Sequence, residues 1–259
     1  MSAKEIPHLK IADFIHFVAM KKKTLKHWAF LQVKVSPEYF GETLQLLNFH
    51  LGGNEVALLE LSPRSDLLVV VEAKNNIALS KFEKSMRENF CKDDYPIDVR
   101  GLTHKGLEQI QEILAPHIGH DDPIAALCLR RMARVGNTIV ILDDDGMVLK
   151  LIQNALGGLG NVIVAQDTAT FLRYYKEYAP NIAFIDIHLR DGASGIDLLP
   201  PLIKDVDPYA HVIMISSDSQ IDTIRNLKDK GARGFVLKPI KRGLLLDHFA
   251  NAPTFHMRD

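Results

Sequence analysis

From residue 137 onward, apolar and polar positions fall into a regular alternation of two patterns. "NTIVIL" (137–142) is a short continuous apolar run rich in β-branched residues, and "MVLKLIQNAL" (147–156) repeats its apolar positions at helical spacing until Gly157-Gly158. The pair recurs as "NVIVAQ" with "TATFLRYYKEYA", "NIAFIDI" with "GIDLLPPLIKDV", "HVIMIS" with "QIDTIRNLKDKGA", and "GFVLK" with "RGLLLDHFANA". Strands that are apolar throughout, rather than alternating, suit a parallel sheet covered on both faces. The pattern predicts an α/β doubly wound (βα)5 parallel-sheet domain over residues 137–259.

Residues 1–120 read differently. Residues 8–26, with "LKIADFIHFVAMKKKTLK", are amphipathic at helical spacing, and "HWAFLQVKV" (27–35) alternates as a half-buried strand. "SPEYFGETLQLLNFHL" (36–51) reads as a helix with Ser36 as N-cap and Pro37 at its first position. "NEVALLEL" (54–61) and "DLLVVVEA" (66–73), joined by "SPRS", predict a hairpin. A helix over "LSKFEKSMRENF", a strand over "YPIDVRGL" and a helix over "KGLEQIQEILA" complete the order helix-βαββαβ-helix. That order predicts a smaller α+β domain with a ferredoxin-like arrangement. Residues 121–136 mix Pro, Gly and charge around a short basic helix and read as a linker, with Arg130, Arg131 and Arg134 on an exposed face.

Composition narrows the setting. The chain has 259 residues, 47% of them apolar, which is enough for two cores. The net charge of −1 gives no general attraction to nucleic acid or anionic membrane, and residues 1–120 show no helix-turn-helix signature. Lys21-Lys22-Lys23 reads as a solvated helix end. No run approaches the ~18 apolar residues that cross a bilayer, and "MSAKEIPHLK" lacks the apolar stretch of a signal peptide. Cys91 and Cys128 have no metal-type spacing and read as free thiols. A cytoplasmic protein without membrane insertion or a nucleic-acid partner is expected.

The chemistry sits at the predicted strand ends. In a parallel α/β sheet these converge on one edge, where ligands bind. The first strand ends in Asp143-Asp144-Asp145, the third in Asp186, the fourth in Ser216-Ser217 and the fifth in Lys238-Pro239. Asp145 suits a helix start, where the dipole favours an anion. The remaining carboxylates repel unless a hard divalent cation such as Mg2+ (or Mn2+) or an ammonium offsets them. A central carboxylate can attack phosphorus and form an acyl phosphate. Asp186 is the candidate nucleophile, Asp143 and Asp144 the metal ligands, and Ser216 and Lys238 the groups for phosphoryl oxygens.

At these residues the sequence resembles the receiver domain of two-component response regulators. "ILDDD", "FIDIHL", "MISSD" and "GARGFVLKP" stand where that family keeps its acidic pair, phospho-acceptor, hydroxyl residue and Lys-Pro. The resemblance covers roughly residues 137–252. It implies that Asp186 accepts a phosphoryl group from a sensor histidine kinase or a histidine phosphotransfer protein. It also implies that the metal is held by Asp143, Asp144, Asp186 and the backbone carbonyl of His188, and that the peptide bond before Pro239 is cis. Phe235 stands at the position of the family's switch aromatic; a plain core role would serve an apolar strand residue equally. The chain departs from the common pattern at Leu189-Arg190, at Gly195 one position late, at Ser216 in place of threonine, and at Pro200-Pro201 inside the third helix. A receiver is a self-modifying switch rather than an enzyme in the ordinary sense. The N-terminal domain is expected to be an interaction or output module, with residues 8–26 as its contact surface for a downstream protein or a second copy. "LSPRSD" (61–66) lacks the Gly-Gly-acidic turn of a nucleotide cyclase. The alternative is a phosphorylation-independent scaffold whose pseudo-receiver binds only a cation.

Overall fold

The computed structural model describes residues 5–73, 77–90, 97–189, 194–217 and 221–256, with the side chains of 221–224 not described. Contacts divide the chain into two compact units, Met1–Ala125 and Ala126–Asp259.

In the first unit β1 (Trp28–Lys34), β2 (Val56–Ser62), β3 (Asp66–Glu72) and β4 (Ile97–Gly101) form one sheet in the order β2-β3-β1-β4, every pairing antiparallel. With α2 (Phe40–Leu51) between β1 and β2 and α3 (Ile77–Asn89) between β3 and β4, this is the split βαβ, ferredoxin-like topology. Alternation decides which side chains meet which helices. Ala29, Leu31, Val33, Val69 and Val71 pack with Leu47, Leu51, Phe82 and Met86 of α2 and α3. Trp28, Phe30, Leu68 and Val70, one residue out of phase, are buried as well. Burial on both faces explains why "DLLVVVE" is apolar throughout. α1 (Ile11–Met20) buries Phe14, Ile15, Val18 and Ala19, and α4 (His104–Leu114) buries Leu107, Ile110 and Leu114. The Thr103 side chain caps α4 by accepting from Gly106 N at 3.0 Å.

Three local expectations are corrected. Phe14, Ile15, Val18 and Ala19 of α1 are buried, so the apolar stripe of residues 8–26 is not a free contact surface. α1 ends at Met20 and a 3-10 helix, Lys21–His27, follows. There Lys21 is not a solvated end: its ammonium lies 4.4 Å from the Phe17 ring and 4.5 Å from the Trp28 ring and pairs with Glu55. α2 begins at Phe40 rather than beside Ser36, because residues 37–39 form a turn that leaves Phe40 at the buried start of the helix.

In the second unit β5 (Thr138–Leu142), β6 (Asn161–Ala165), β7 (Ile182–Asp186), β8 (Val212–Ser216) and β9 (Gly234–Leu237) form a parallel sheet in the order β6-β5-β7-β8-β9. α7 (Thr168–Tyr178), α8 (Gly195–Pro201) and α9 (Ile221–Asp229) cover one face, on a core of Val140, Leu142, Phe171, Ile185, Val212 and Met214. α6 (Gly146–Leu156) and α10 (Arg242–Ala250) cover the other, on Ile139, Ile141, Phe184, Ile213, Ile215 and Phe249. The strand order reverses between β5 and β7, which places a crevice at their carboxyl ends. Pro200 and Pro201 fall in the last turn of α8, after which the chain continues as a π-helix, Leu202–Val206.

Arg131 in α5 (Pro123–Ala133) and Arg134 just past it are the largest departure from the sequence reading, whereas Arg130 is exposed as expected. Arg131 is 3% exposed: its guanidinium pairs with Asp207 and donates from Nε to Pro180 O at 2.8 Å. Tyr175 OH donates to the same Asp207 oxygen at 2.7 Å. Arg130 donates to Lys176 O at 2.8 Å and Arg134 to Ala179 O at 2.9 Å. A helix end leaves its last carbonyls without intrahelical donors, and these two arginines supply them for α7. Cys128 is a buried cysteine, while Cys91 lies outside the described residues. Among the described residues no helix is long and apolar enough to cross a membrane.

Candidate functional site

β5 ends at Leu142 and delivers Asp143 to the crevice fully buried, with Asp144 half-buried beside it. Asp143 Oδ1 accepts from Asp145 N at 2.8 Å, which fixes the turn. Asp145 then points to α6 and caps it, accepting from Met147 N at 2.7 Å. The division within Asp143-Asp144-Asp145 is therefore two carboxylates for the crevice and one for the helix. β7 ends in Asp186, 3% exposed. Carboxylate oxygens of Asp143, Asp144 and Asp186 all lie within 4.8 Å of one another.

Lys238 enters from the end of β9. Its Nζ is 3.0 Å from Asp143 Oδ2 and 3.1 Å from Asp186 Oδ1, so it bridges the two buried carboxylates. Its backbone N donates to Ser216 O at 2.7 Å, which ties it to β8, and its peptide bond to Pro239 is cis. Ser216 is buried at the end of β8. Phe235 lies further back on β9, half-buried against the α7–α8 core, and its carbonyl meets His248 Nε2 at 3.2 Å. His188 is exposed two residues past Asp186 and bridges Ser194. Arg190 and the rest of 190–193, where the departure in loop length falls, lie outside the described residues. Gly195 closes the far side: its N donates to Ile187 O at 2.9 Å, and a Cβ built there would stand 2.0 Å from Asp186 O. Only glycine lets α8 start this close to the strand that carries Asp186.

The electrostatics follow from burial and like charge. Burial, then the neighbouring Asp143 charge, raises the Asp186 pKa above the ordinary carboxylate value, against the pull of Lys238. Burial alone would lower the Lys238 pKa, but its bonds to Asp143 and Asp186 outweigh that and raise it. Lys238 is therefore a permanent cation in a crevice that still holds excess negative charge. Three converging carboxylates are an all-oxygen, anionic donor set, which suits a hard dication such as Mg2+. The sequence reading singled out each of these side chains but not the Arg131–Asp207–Tyr175 network.

A family model described as the response regulator receiver domain matches residues 139–250. The chemotaxis protein CheY of Bacillus subtilis is 29% identical over 115 residues, covering 44% of this chain and 94% of that protein. CheY of Halobacterium salinarum is 26% identical over 119 residues, covering 45% and 96%. The crystal structure of the response regulator DrrB, from Thermotoga maritima, covers 44% of this chain and 50% of its own at 26% identity and a TM-score of 0.40. The BeF3-activated DrrB receiver domain covers 45% and 97% at 27% identity and a TM-score of 0.41.

Proposed function

Because residues 139–250 form a response regulator receiver domain, we propose that this chain is a response regulator of a two-component phosphorelay with Asp186 as its phospho-acceptor. The donor is a phosphohistidine on a sensor histidine kinase or a histidine phosphotransfer protein. An Asp186 carboxylate oxygen attacks phosphorus, forming a P–O bond as the P–N bond breaks. The departing imidazole keeps that electron pair and takes a proton. Lys238, already 3.1 Å from Asp186, favours the ionised carboxylate against the effect of burial and then meets the phosphoryl oxygens. Ser216, at the end of the adjacent strand, supplies a hydroxyl to the same oxygens. Asp143, Asp144, Asp186 and the His188 carbonyl would hold Mg2+ or Mn2+, which when bound offsets charge on the carboxylates and the phosphoryl group. Phe235 follows Ser216 as the switch aromatic, and the altered face around α9 and β9 changes protein contacts. In this reading residues 1–120 are the interaction or output domain, 121–136 the linker and 137–259 the receiver.

The observation that carries the proposal is the Lys238 ammonium bridging Asp143 and Asp186 among three mutually close carboxylates. The test is incubation with acetyl phosphate and Mg2+. Wild type should acquire a hydroxylamine-labile phosphate that Asp186→Asn does not. Absence of label overturns the proposal in favour of a phosphorylation-independent scaffold, and equal labelling of the variant overturns the assignment of Asp186 as the acceptor.

A further inference from the structure

The sheet of the first unit treats its two edges differently. β2 is covered by the chain itself: His8 bridges Leu58, and Leu9 N donates to Leu58 O at 2.8 Å. At the opposite edge β4 pairs with β1 and, among the described residues, with no strand beyond it. Asp98, Arg100 and Gly101 are exposed there, and Ile97 and Val99 are half-buried.

The register shows which backbone groups face outward. Leu102 N donates to Trp28 O at 2.8 Å, extending the register that sets Arg100 opposite Phe30 and Asp98 opposite Gln32. Directly opposed residues in an antiparallel pair alternate between bonded and non-bonded. Leu102, Arg100 and Asp98 therefore turn their N–H and C=O groups toward β1, and Ile97, Val99 and Gly101 turn theirs to the open edge. The side chains alternate too: Ile97 and Val99 join the α2–α3 core, while Asp98 and Arg100 share the other face, where Arg100 Nε donates to Asp98 Oδ1 at 2.9 Å.

We infer that β4 pairs antiparallel with β4 of a second copy of this chain, about a two-fold axis through Val99, so that two sheets become one. In that register the outward groups of Ile97, Val99 and Gly101 meet those of Gly101, Val99 and Ile97 of the second copy. Asp98 falls opposite Arg100 of the second copy, and Arg100 opposite its Asp98, at the non-bonded positions where side chains approach most closely. A slip that centres the axis on Asp98 opposes two aspartates, and one centred on Arg100 opposes two arginines; both are unfavourable. Charge on an edge strand commonly keeps other strands away. An acid and a base two residues apart instead select one self-complementary register, as an isologous interface requires. This reading is independent of phosphorylation at Asp186.

The test is sedimentation of the full chain with three variants, each checked for folding by circular dichroism. Wild type should be a dimer. Asp98→Arg and Arg100→Asp each oppose like charges in the paired edge and should raise the dimer dissociation constant by about tenfold or more. An equimolar mixture of those two variants restores opposite charges across the axis and should dimerise again. Val99→Pro, which removes the outward N–H on the axis, should be monomeric. A wild type that stays monomeric at its highest soluble concentration overturns the inference and leaves the edge for a strand of another protein. Single variants as dimeric as wild type, or a mixture that stays monomeric, overturn it as well.

Discussion

Replacing Asp207 by alanine should unfold the second unit far more readily than a single carboxylate on a loop suggests. Asp207 is fully buried, and its partner Arg131 has a side chain only 2% exposed. One Asp207 oxygen takes Arg131 and Tyr175, and the other accepts from Tyr209 N at 3.0 Å. The substitution leaves a guanidinium buried without its counter-charge, which costs about 3–5 kcal/mol. For a domain of this size that corresponds to a fall of roughly 10–20 °C in Tm. Arg131→Met should also be strongly destabilising, since it strands the buried carboxylate. The double variant should lose less than the two single losses combined, by about 1–3 kcal/mol, because neither charge is then left alone. The chain has one tryptophan, Trp28, in the first unit. Its fluorescence serves as the internal control, while amide hydrogen exchange of the second unit's strands follows that unit during urea unfolding. A loss below about 1 kcal/mol for Asp207→Ala, or strict additivity in the cycle, would refute the buried-pair account.

Three further outcomes are expected. Asp186→Asn should stabilise the second unit at neutral pH: the native pKa of Asp186 is raised, so its ionised form opposes folding above that pKa, and the gain should vanish in urea melts run below the ordinary Asp value of about 4. His211 is pushed down to about 4 by burial and by the nearby Arg233 and His248 charges, so it favours the folded state above its ordinary pKa and loses that contribution as pH falls toward 4. His211→Asn should therefore flatten the acid limb of the stability–pH curve between about pH 6.5 and 4. Gly195→Ala drives a Cβ into Asp186 O, so α8 must shift; a stability loss of about 2 kcal/mol or more and slower labelling by acetyl phosphate should follow.

Both architectures were legible because their signals are local and repeated. Continuous apolar runs such as "TIVIL" and "VIMIS" are parallel strands, and the hairpin around "SPRS" joins β2 to β3. The crevice was legible for a topological reason: strand ends in a parallel sheet converge, so Asp143, Asp144, Asp186 and Lys238 could be grouped before any distance was known. What stayed hidden depends on distant partners. "CLRRMARVG" shows basic residues at helical spacing, and nothing within it marks Arg131 as the one that meets Asp207, 76 residues away. "DPY" around Asp207 reads as an ordinary turn. Lys21 looked like one of three equivalent lysines until the Phe17 and Trp28 rings enclosed it. Ser36-Pro37 is a sound local start signal, but Arg64 reaches across to the Pro37 carbonyl at 3.2 Å and holds that segment as a turn.

The central claim is that one carboxylate, at the end of β7, bonds to phosphorus. Borohydride reduction converts an aspartyl phosphate to homoserine, and peptide mass spectrometry after acetyl phosphate treatment locates it. Homoserine at position 186 and nowhere else is the expected result; homoserine at Asp143 or Asp144, or none in the chain, would contradict it.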